Sequence, residues 1–207
     1  MKNINLIGYS GHAFVVCDIF LSNGIKPNGY FEKEQKTNNP YDLPYLGSEQ
    51  DKASDQVLQN CNYFVAIGEN VLRKQITQQI ISKVKIEPIN AIHTNTSLSS
   101  TALLGNGVMV SGNCIINACA NIGDGVICNT QSVIEHECQI GAFSHIAPGA
   151  VLCGNVKIGV CTFIGANAVI KQGVVIGDNV TIGAGAVILK NVPSNSTVVG
   201  NPQKNIH

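Results

Sequence analysis

The sequence predicts two unlike halves. Residues 1–88 read as a small parallel α/β unit of Rossmann-like character, and residues 89–207 as a parallel β-helix with a C-terminal tail. Three observations carry the division. Short apolar runs alternate with helical patterns up to about Pro88. Beyond it an aliphatic residue returns at every sixth position, and the residue two places before each aliphatic is small or β-branched.

In the first half, "INLIG" (Ile4–Gly8) reads as a buried strand followed by a Gly/Ser turn. "HAFVVCDIFLSNG" then carries Val15, Val16, Ile19 and Phe20 at helical spacing and stops at Gly24. "NGYFEK" reads as a second strand, and the turn-rich "EKEQKTNNPYDLPYLGS" as a loop. "YFVAIG" (Tyr63–Gly68) is the clearest further strand. "ENVLRKQITQQIISKV" follows as a helix with Leu72, Ile76 and Ile80 on one face.

In the second half, steps of six from Ile92 reach Ile188 without a break, and every position is Ile, Leu or Val except Cys128. Two residues earlier, from Thr96 to Ala186, each position is Ala, Val, Ser, Thr or Cys. Residues two apart in a strand share a face, so both members of each pair point inward while their neighbours face out or turn a corner. Three such units make one triangular coil, and residue n stacks on n+18. Burying the aliphatic series at roughly 1.5–3 kcal/mol per side chain supports this half without helices.

Thirteen basic residues balance thirteen acidic ones and no basic run stands out. That argues against a nucleic acid or an anionic membrane as partner. The start "MKNINLIGYSGH" lacks a charged-then-apolar leader, and no apolar stretch is long enough to span a bilayer; the expectation is a cytoplasmic protein. Eight cysteines contain no C-x-x-C pair. In the six-residue frame Cys114, Cys128 and Cys138 point inward, while Cys119, Cys153 and Cys161 fall on corners or the outer surface. They read as apolar fillers or free thiols rather than a metal cluster.

The segment "VIEHECQIGAFSHIAPG" holds two histidines. The frame puts His136 at a corner, exposed beside Glu137, and His145 facing outward on the next face; the bland alternative is that both are solvated surface residues. A carboxylate beside an imidazole fixes its tautomer and raises its basicity. One coil on, Gly154 is expected to leave an open niche with a free backbone N–H. A base, an orienting acid and a bare amide are the parts that acyl transfer needs.

The blocks "GYSGH", "AIGENVLRKQI", "NTQSVIEHECQIGAFSHIAPGAVLCGNVKIG" and "VVGNPQK" together resemble the bacterial sugar O/N-acyltransferases. That family includes UDP-4-amino-sugar N-acetyltransferases and sialic acid O-acetyltransferases. The resemblance implies a left-handed winding for the β-helix and an acetyl-CoA-dependent homotrimer with active sites between subunits. It implies His136 as general base and Glu137 as the residue orienting it. Asn129, Ser10, Gly11, His12, Glu32, Lys33 and Gly68 would hold the nucleotide-sugar acceptor, and His145, Gly154, Ala166 and Ala184 the acetyl-CoA. One departure stands out: the family's acidic pair after the second strand reads Glu32-Lys33 here.

Competing classes make distinct demands. A metal enzyme on the same prism would need three convergent imidazoles, whereas His93, His136 and His145 lie at unrelated coil positions. A silent scaffold would have no turnover for His136→Ala to remove. Within acyl transfer, the rival is O-acetylation of a sialic acid or another sugar.

Overall fold

In the computed structural model, which describes residues 3–206 apart from the side chain of Asn205, the first half is built on a three-stranded parallel sheet. The strand β1 (Ile4–Ile7) is central, between β2 (Gly29–Phe31) and β3 (Asn62–Val65). All four β1 residues are buried, as a parallel strand covered on both faces requires. The first crossover helix, α1 (Gly11–Ser22), buries Val16, Ile19 and Phe20, but turns Val15 to solvent. After β2 the loop runs on as an irregular edge. Tyr30 N–H donates to Pro44 O (3.0 Å), Leu46 N–H to Tyr30 O (2.9 Å) and Glu32 N–H to Gly47 O (3.1 Å). The chain then enters α2 (Lys52–Gln59), a helix the sequence reading leaves unassigned because Leu58 is its one buried apolar residue.

The next helix, α3 (Asn70–Val84), lies where expected but turns a different face inward. Asn70, Arg73, Thr77, Ile80 and Val84 are buried, Ile76 is partly buried, and Leu72 is 45% exposed. Positions four apart drift by about 40° around a helix, so the series from Ile80 back to Leu72 rotates off the core. The N-terminal end of α3 meets the second half through polar side chains instead.

That second half runs through seventeen two-residue strands, from β4 (Ala91–Ile92) to β20 (Val187–Ile188). Each ends on a member of the six-residue series. Three parallel sheets result, with registers such as Ile127↔His145 and Cys128↔Ile146 that confirm the eighteen-residue step. The prism is a β-solenoid of the left-handed β-helix type. Its first face stacks the strands that carry Met109, Ile127, His145 and Phe163; its second, those with Ile115, Val133, Val151 and Val169; its third, those with Asn121, Gln139 and Lys157. Cys114, Cys128 and Cys138 lie in the core as the frame expects. Inward hydroxyls are satisfied by corner carbonyls: Ser144 Oγ donates to Gly159 O (2.6 Å) and Thr162 Oγ1 to Gly177 O (2.7 Å).

Every corner turns through one residue with φ between 54° and 73°, recurring each six positions from Gly107 to Gly185. Glycine and asparagine fill most of these left-handed positions, as sterics favour; Glu137 (φ 61°) is one of the exceptions. At the far end β21 (Thr197–Val199) caps the first face and pairs antiparallel with β22 (Lys204–Asn205). Gln203 Oε1 accepts from the N–H groups of Leu189 and Lys190 and closes the last coil. Among the described residues no helix is long and apolar enough to cross a membrane.

Candidate active site

His136 stands on the vertex between the second and third faces, with its side chain 52% exposed. Its Nδ1 lies 3.1 Å from Glu137 Oε2. A carboxylate only accepts, so Nδ1 is the donating nitrogen, and in the neutral ring the lone pair is on Nε2. The left-handed turn at Glu137 brings that carboxylate back alongside the ring preceding it. Gly154 sits on the next coil, where a Cβ would come within 2.5 Å of His136 Cε1 and 2.6 Å of Nε2. The niche expected to be open is therefore filled by the imidazole itself, which leans one coil along the prism because glycine leaves room. The Gly154 N–H meets no acceptor among the described residues, while its carbonyl accepts from Gly173 N–H at 3.0 Å.

The first half of the chain rests on the first face, where Ala91, Met109 and Ile127 are buried against the helix and loops above. The vertex carrying His136 is the one opposite that face. At the junction lies Arg73, 2% exposed. Its Nε donates to Gly125 O (2.8 Å), Nη1 to Ile67 O (3.1 Å) and Gly68 O (2.9 Å), and Nη2 to Asn70 Oδ1 (3.0 Å) and Phe143 O (2.9 Å). Asn70 Nδ2 donates in turn to Cys161 O (3.2 Å). One guanidinium thus ties the turn after β3 to two coils of the prism. Burial lowers its pKa to about 10, which leaves it charged at neutral pH.

At this junction two residues are more enclosed than the six-residue frame conveys. His145 does point outward from the prism, but it is enclosed by the first half rather than solvated. Its Nε2 is 3.0 Å from Asn129 Nδ2, and its ring meets Phe163 edge to face at 5.1 Å. Burial, then the charge of Arg73, pushes its pKa down to about 3, partly offset by a hydrogen bond with the Gly68 backbone. Cys161 sits at a corner, one of the two placements the frame allows, and is buried there beneath α3. In both cases the six-residue frame gives direction relative to the prism axis but not what covers a face. The signal was present in the apolar outward residues Met109 and Ile127.

His12 completes this cluster. Its ring packs on Gly68, 3.6 Å from where a Cβ would stand, and burial followed by Arg73 lowers its pKa to about 4. Its Nε2 is buried without a hydrogen-bond partner among the described residues. Beside it, at the C-terminal end of the parallel sheet, lies a cavity of about 350 Å³ bordered by Ser10, Glu32, Lys33, Glu49, Gly68 and Glu69. Gly8 makes the turn into it: with φ +89°, any Cβ would press on Ile67 Cγ1 at 3.0 Å. Ser10 is the N-cap of α1, whose first turn holds no acidic residue, and Gly11 has open space over its Cα. The first amides of α1 are thus open to an anion.

Ser10, Gly11, His12, Glu32, Lys33 and Gly68 therefore form one region, joined through Gly68 to Asn129 and His145. His136, Glu137 and Gly154 form a second. Ala166 and Ala184 stack in consecutive coils at the vertex between the first and second faces, linked by Gly185 N–H to Ala166 O at 2.8 Å. The sequence reading passes over Arg73 and Glu49; no periodicity or motif sets either apart. Among the described residues no three His, Cys, Asp or Glu side chains converge as a metal site.

A family model described as the PglD N-terminal domain matches residues 3–80, and one for the bacterial transferase hexapeptide (six repeats) matches residues 155–190. The chain is 32% identical to the acetyltransferase domain of PglB from Neisseria gonorrhoeae FA1090, solved with acetyl coenzyme A, with TM-score 0.92 over 99% of each chain. It is 30% identical to PerB from Caulobacter crescentus, solved with CoA and GDP-perosamine, with TM-score 0.92 over 100% of this chain and 98% of that one. A curated relative, the uncharacterized protein L142 of Acanthamoeba polyphaga mimivirus, is 33% identical over 105 residues, half of this chain; the match spans 20% of the relative's length.

Proposed function

From the premise that this chain belongs to the hexapeptide-repeat sugar acyltransferase family, we propose that it transfers an acetyl group from acetyl-CoA to the amine of a nucleotide-linked amino sugar. The observation that carries the reading is the seating of His136: Nδ1 against Glu137, and the Cε1–Nε2 edge in the space a side chain at residue 154 would fill. PglB bound to acetyl-CoA and PerB bound to GDP-perosamine support the substrate pair. The sugar is of the 4-amino-4,6-dideoxy class that the sequence resemblance implies. The same resemblance implies a uridine carrier, but the acidic pair that would hold it is broken by Lys33. The assigned setting is the cytoplasm, and the product feeds a bacterial surface glycan or glycoprotein.

In this mechanism the neutral amine attacks the thioester carbonyl, forming the N–C bond. His136 Nε2 takes the amine proton as the bond forms, and Glu137 holds the resulting imidazolium. The Gly154 N–H, unpaired on the coil against which the ring packs, is the donor offered to the tetrahedral oxyanion. Collapse breaks the C–S bond and releases the CoA thiolate, which recovers a proton from His136. Ala166 and Ala184, lacking bulk, let the extended pantetheine arm lie along their vertex.

Two features support a homotrimer. The cavity and His136 belong to opposite sides of one prism, so a neighbouring subunit must bring its own vertex to the cavity. The second face also presents an outward column of Ile115, Val133, Val151, Val169 and Val187, partly exposed, with Val169 at 36%. Such a stripe of β-branched residues suits a subunit contact.

A thiol-release assay with acetyl-CoA against amino and hydroxy sugars on UDP, dTDP, GDP and CMP tests the proposal. Release with an amino sugar is expected. Release with a sialic acid alone would replace N-acetylation by O-acetylation.

A further inference from the structure

The cavity at the end of the parallel sheet contains one buried carboxylate for which the fold provides no partner. Glu49 is 7% exposed and lines the cavity. It accepts no hydrogen bond from any described residue and lies beyond 4.0 Å from every described cation. Its neighbours differ. Glu32 accepts from the N–H groups of Tyr9 (3.2 Å) and Lys33 (3.1 Å) and pairs with Lys36 at 3.6 Å. Glu69 is committed to the N–H groups of Val71 and Leu72 at the start of α3. With its stem packed away and its oxygens uncommitted at the cavity wall, this carboxylate is free to accept from a ligand that brings donors into the cavity.

The topology shows which part of a ligand reaches Glu49. In parallel α/β units of this kind the diphosphate takes the N-terminus of the first helix, and the acidic residue ending the second strand takes the ribose hydroxyls. Here those are the Ser10–Gly11 turn and Glu32. The loop edge that pairs with β2 through Pro44, Leu46 and Gly47 delivers Glu49 just beyond Glu32. A base on the far side of the ribose would then lie in the part of the cavity lined by Ile67, Leu72 and Ile76 together with Glu49. This placement also explains why Leu72 is turned away from the core.

We propose that Glu49 reads the base and that the base is guanine, so the carrier of the amino sugar is guanosine diphosphate. Two adjacent donors, ring N1–H and the exocyclic N2 amine, match both oxygens of one carboxylate. Uracil and thymine offer a single N3–H flanked by two carbonyls, which would face the second oxygen acceptor to acceptor. Cytosine and adenine present an amine beside a ring-nitrogen acceptor, with the same conflict. Lys33, on the same rim and free of any carboxylate within 4.0 Å, leaves an ammonium for guanine O6 or the phosphates.

This inference rests on the nucleotide-sugar reading above, and its test separates the two. Calorimetric titration of the full chain with GDP, IDP, UDP, CDP and ADP is expected to rank GDP first by at least about tenfold. IDP lacks only the exocyclic amine, so the GDP-to-IDP ratio reports the second contact directly. Glu49→Gln should bring that ratio near one while the melting temperature holds. UDP binding as tightly as GDP, or an unchanged ratio in Glu49→Gln, overturns the guanine assignment. Thiol release with a UDP-amino sugar would then leave acyl transfer standing. If no nucleoside diphosphate binds and no amino sugar releases thiol, both readings fall.

Discussion

The prism and the junction beneath the first half hold their side chains by different means. In the prism, Ile146 is one of a column of aliphatics at an eighteen-residue step, and its neighbours above and below do the same work. At the junction Arg73 alone spans the turn after β3 and two coils, through carbonyls with no repeated counterpart. The first arrangement spreads its stability over many equivalent contacts and leaves its corners free to carry chemistry. The second concentrates stability in one buried charge.

If the corners are free, removing His136 should affect chemistry and spare the fold. His136→Ala is expected to lower acetyl transfer by about 10³-fold, within the span for a general base, and to move stability by no more than ~0.5 kcal/mol. Turnover with a matched acceptor and a thermal melt measure the two halves of this statement. Turnover within about threefold of the parent would remove His136 from the reaction.

Arg73→Met should do the reverse. It leaves the carbonyls of Gly68, Gly125 and Phe143 without their donor in a buried site, at a cost of ~3 kcal/mol or more. The loss should be local. Hydrogen exchange would quicken in α3 and around residues 67–68, while amides in the middle of the prism keep their protection. Uniform loosening of both halves would show that the two kinds of packing are not separable.

Gly154→Ala is a smaller perturbation of the corner. The new methyl occupies the space of His136 Cε1, so the ring must swing away from the glycine it packs against. Misplacement by about 1 Å costs up to ~10²-fold; the fold-change should show in turnover rather than in the melting temperature. Activity equal to the parent would mean that the seating of the ring does not matter.

The same contrast explains what was legible beforehand. The six-residue series sets strand, register and inward column at once, so the prism and the exposed corner of His136 could be read from spacing. Strands β1 and β3 declared themselves as apolar runs. The helix α2 did not, having Leu58 alone to bury, and on α3 the expected face keeps Ile76 and Ile80 but loses Leu72 to solvent, because the start of the helix docks through Asn70 and Arg73. The enclosure of His145 and Cys161 is hidden for a related reason: periodicity orients a side chain but is silent about a second domain lying over it. Glu49 and Arg73 owe their importance to partners remote in sequence, or to lacking one, and no local pattern encodes that.

The junction should also be the part of the molecule that senses acid. His12 and His145 titrate near 4 and 3 in the folded chain, against about 6.5 for an unperturbed imidazole. Between those values the unfolded chain binds protons that the folded chain refuses, so stability falls as pH falls. Both contributions are intact above about pH 6.5 and are lost progressively down to their folded pKa values, by at most ~1.4 kcal/mol per pH unit for each histidine. The measurement is the melting temperature at pH 7 and pH 5, for the parent and for His12→Asn with His145→Gln combined. The variant's absolute stability is immaterial, because the slope is what the histidines supply. A flatter slope in the variant assigns the acid sensitivity to the junction, whereas parallel slopes would place it elsewhere in the chain.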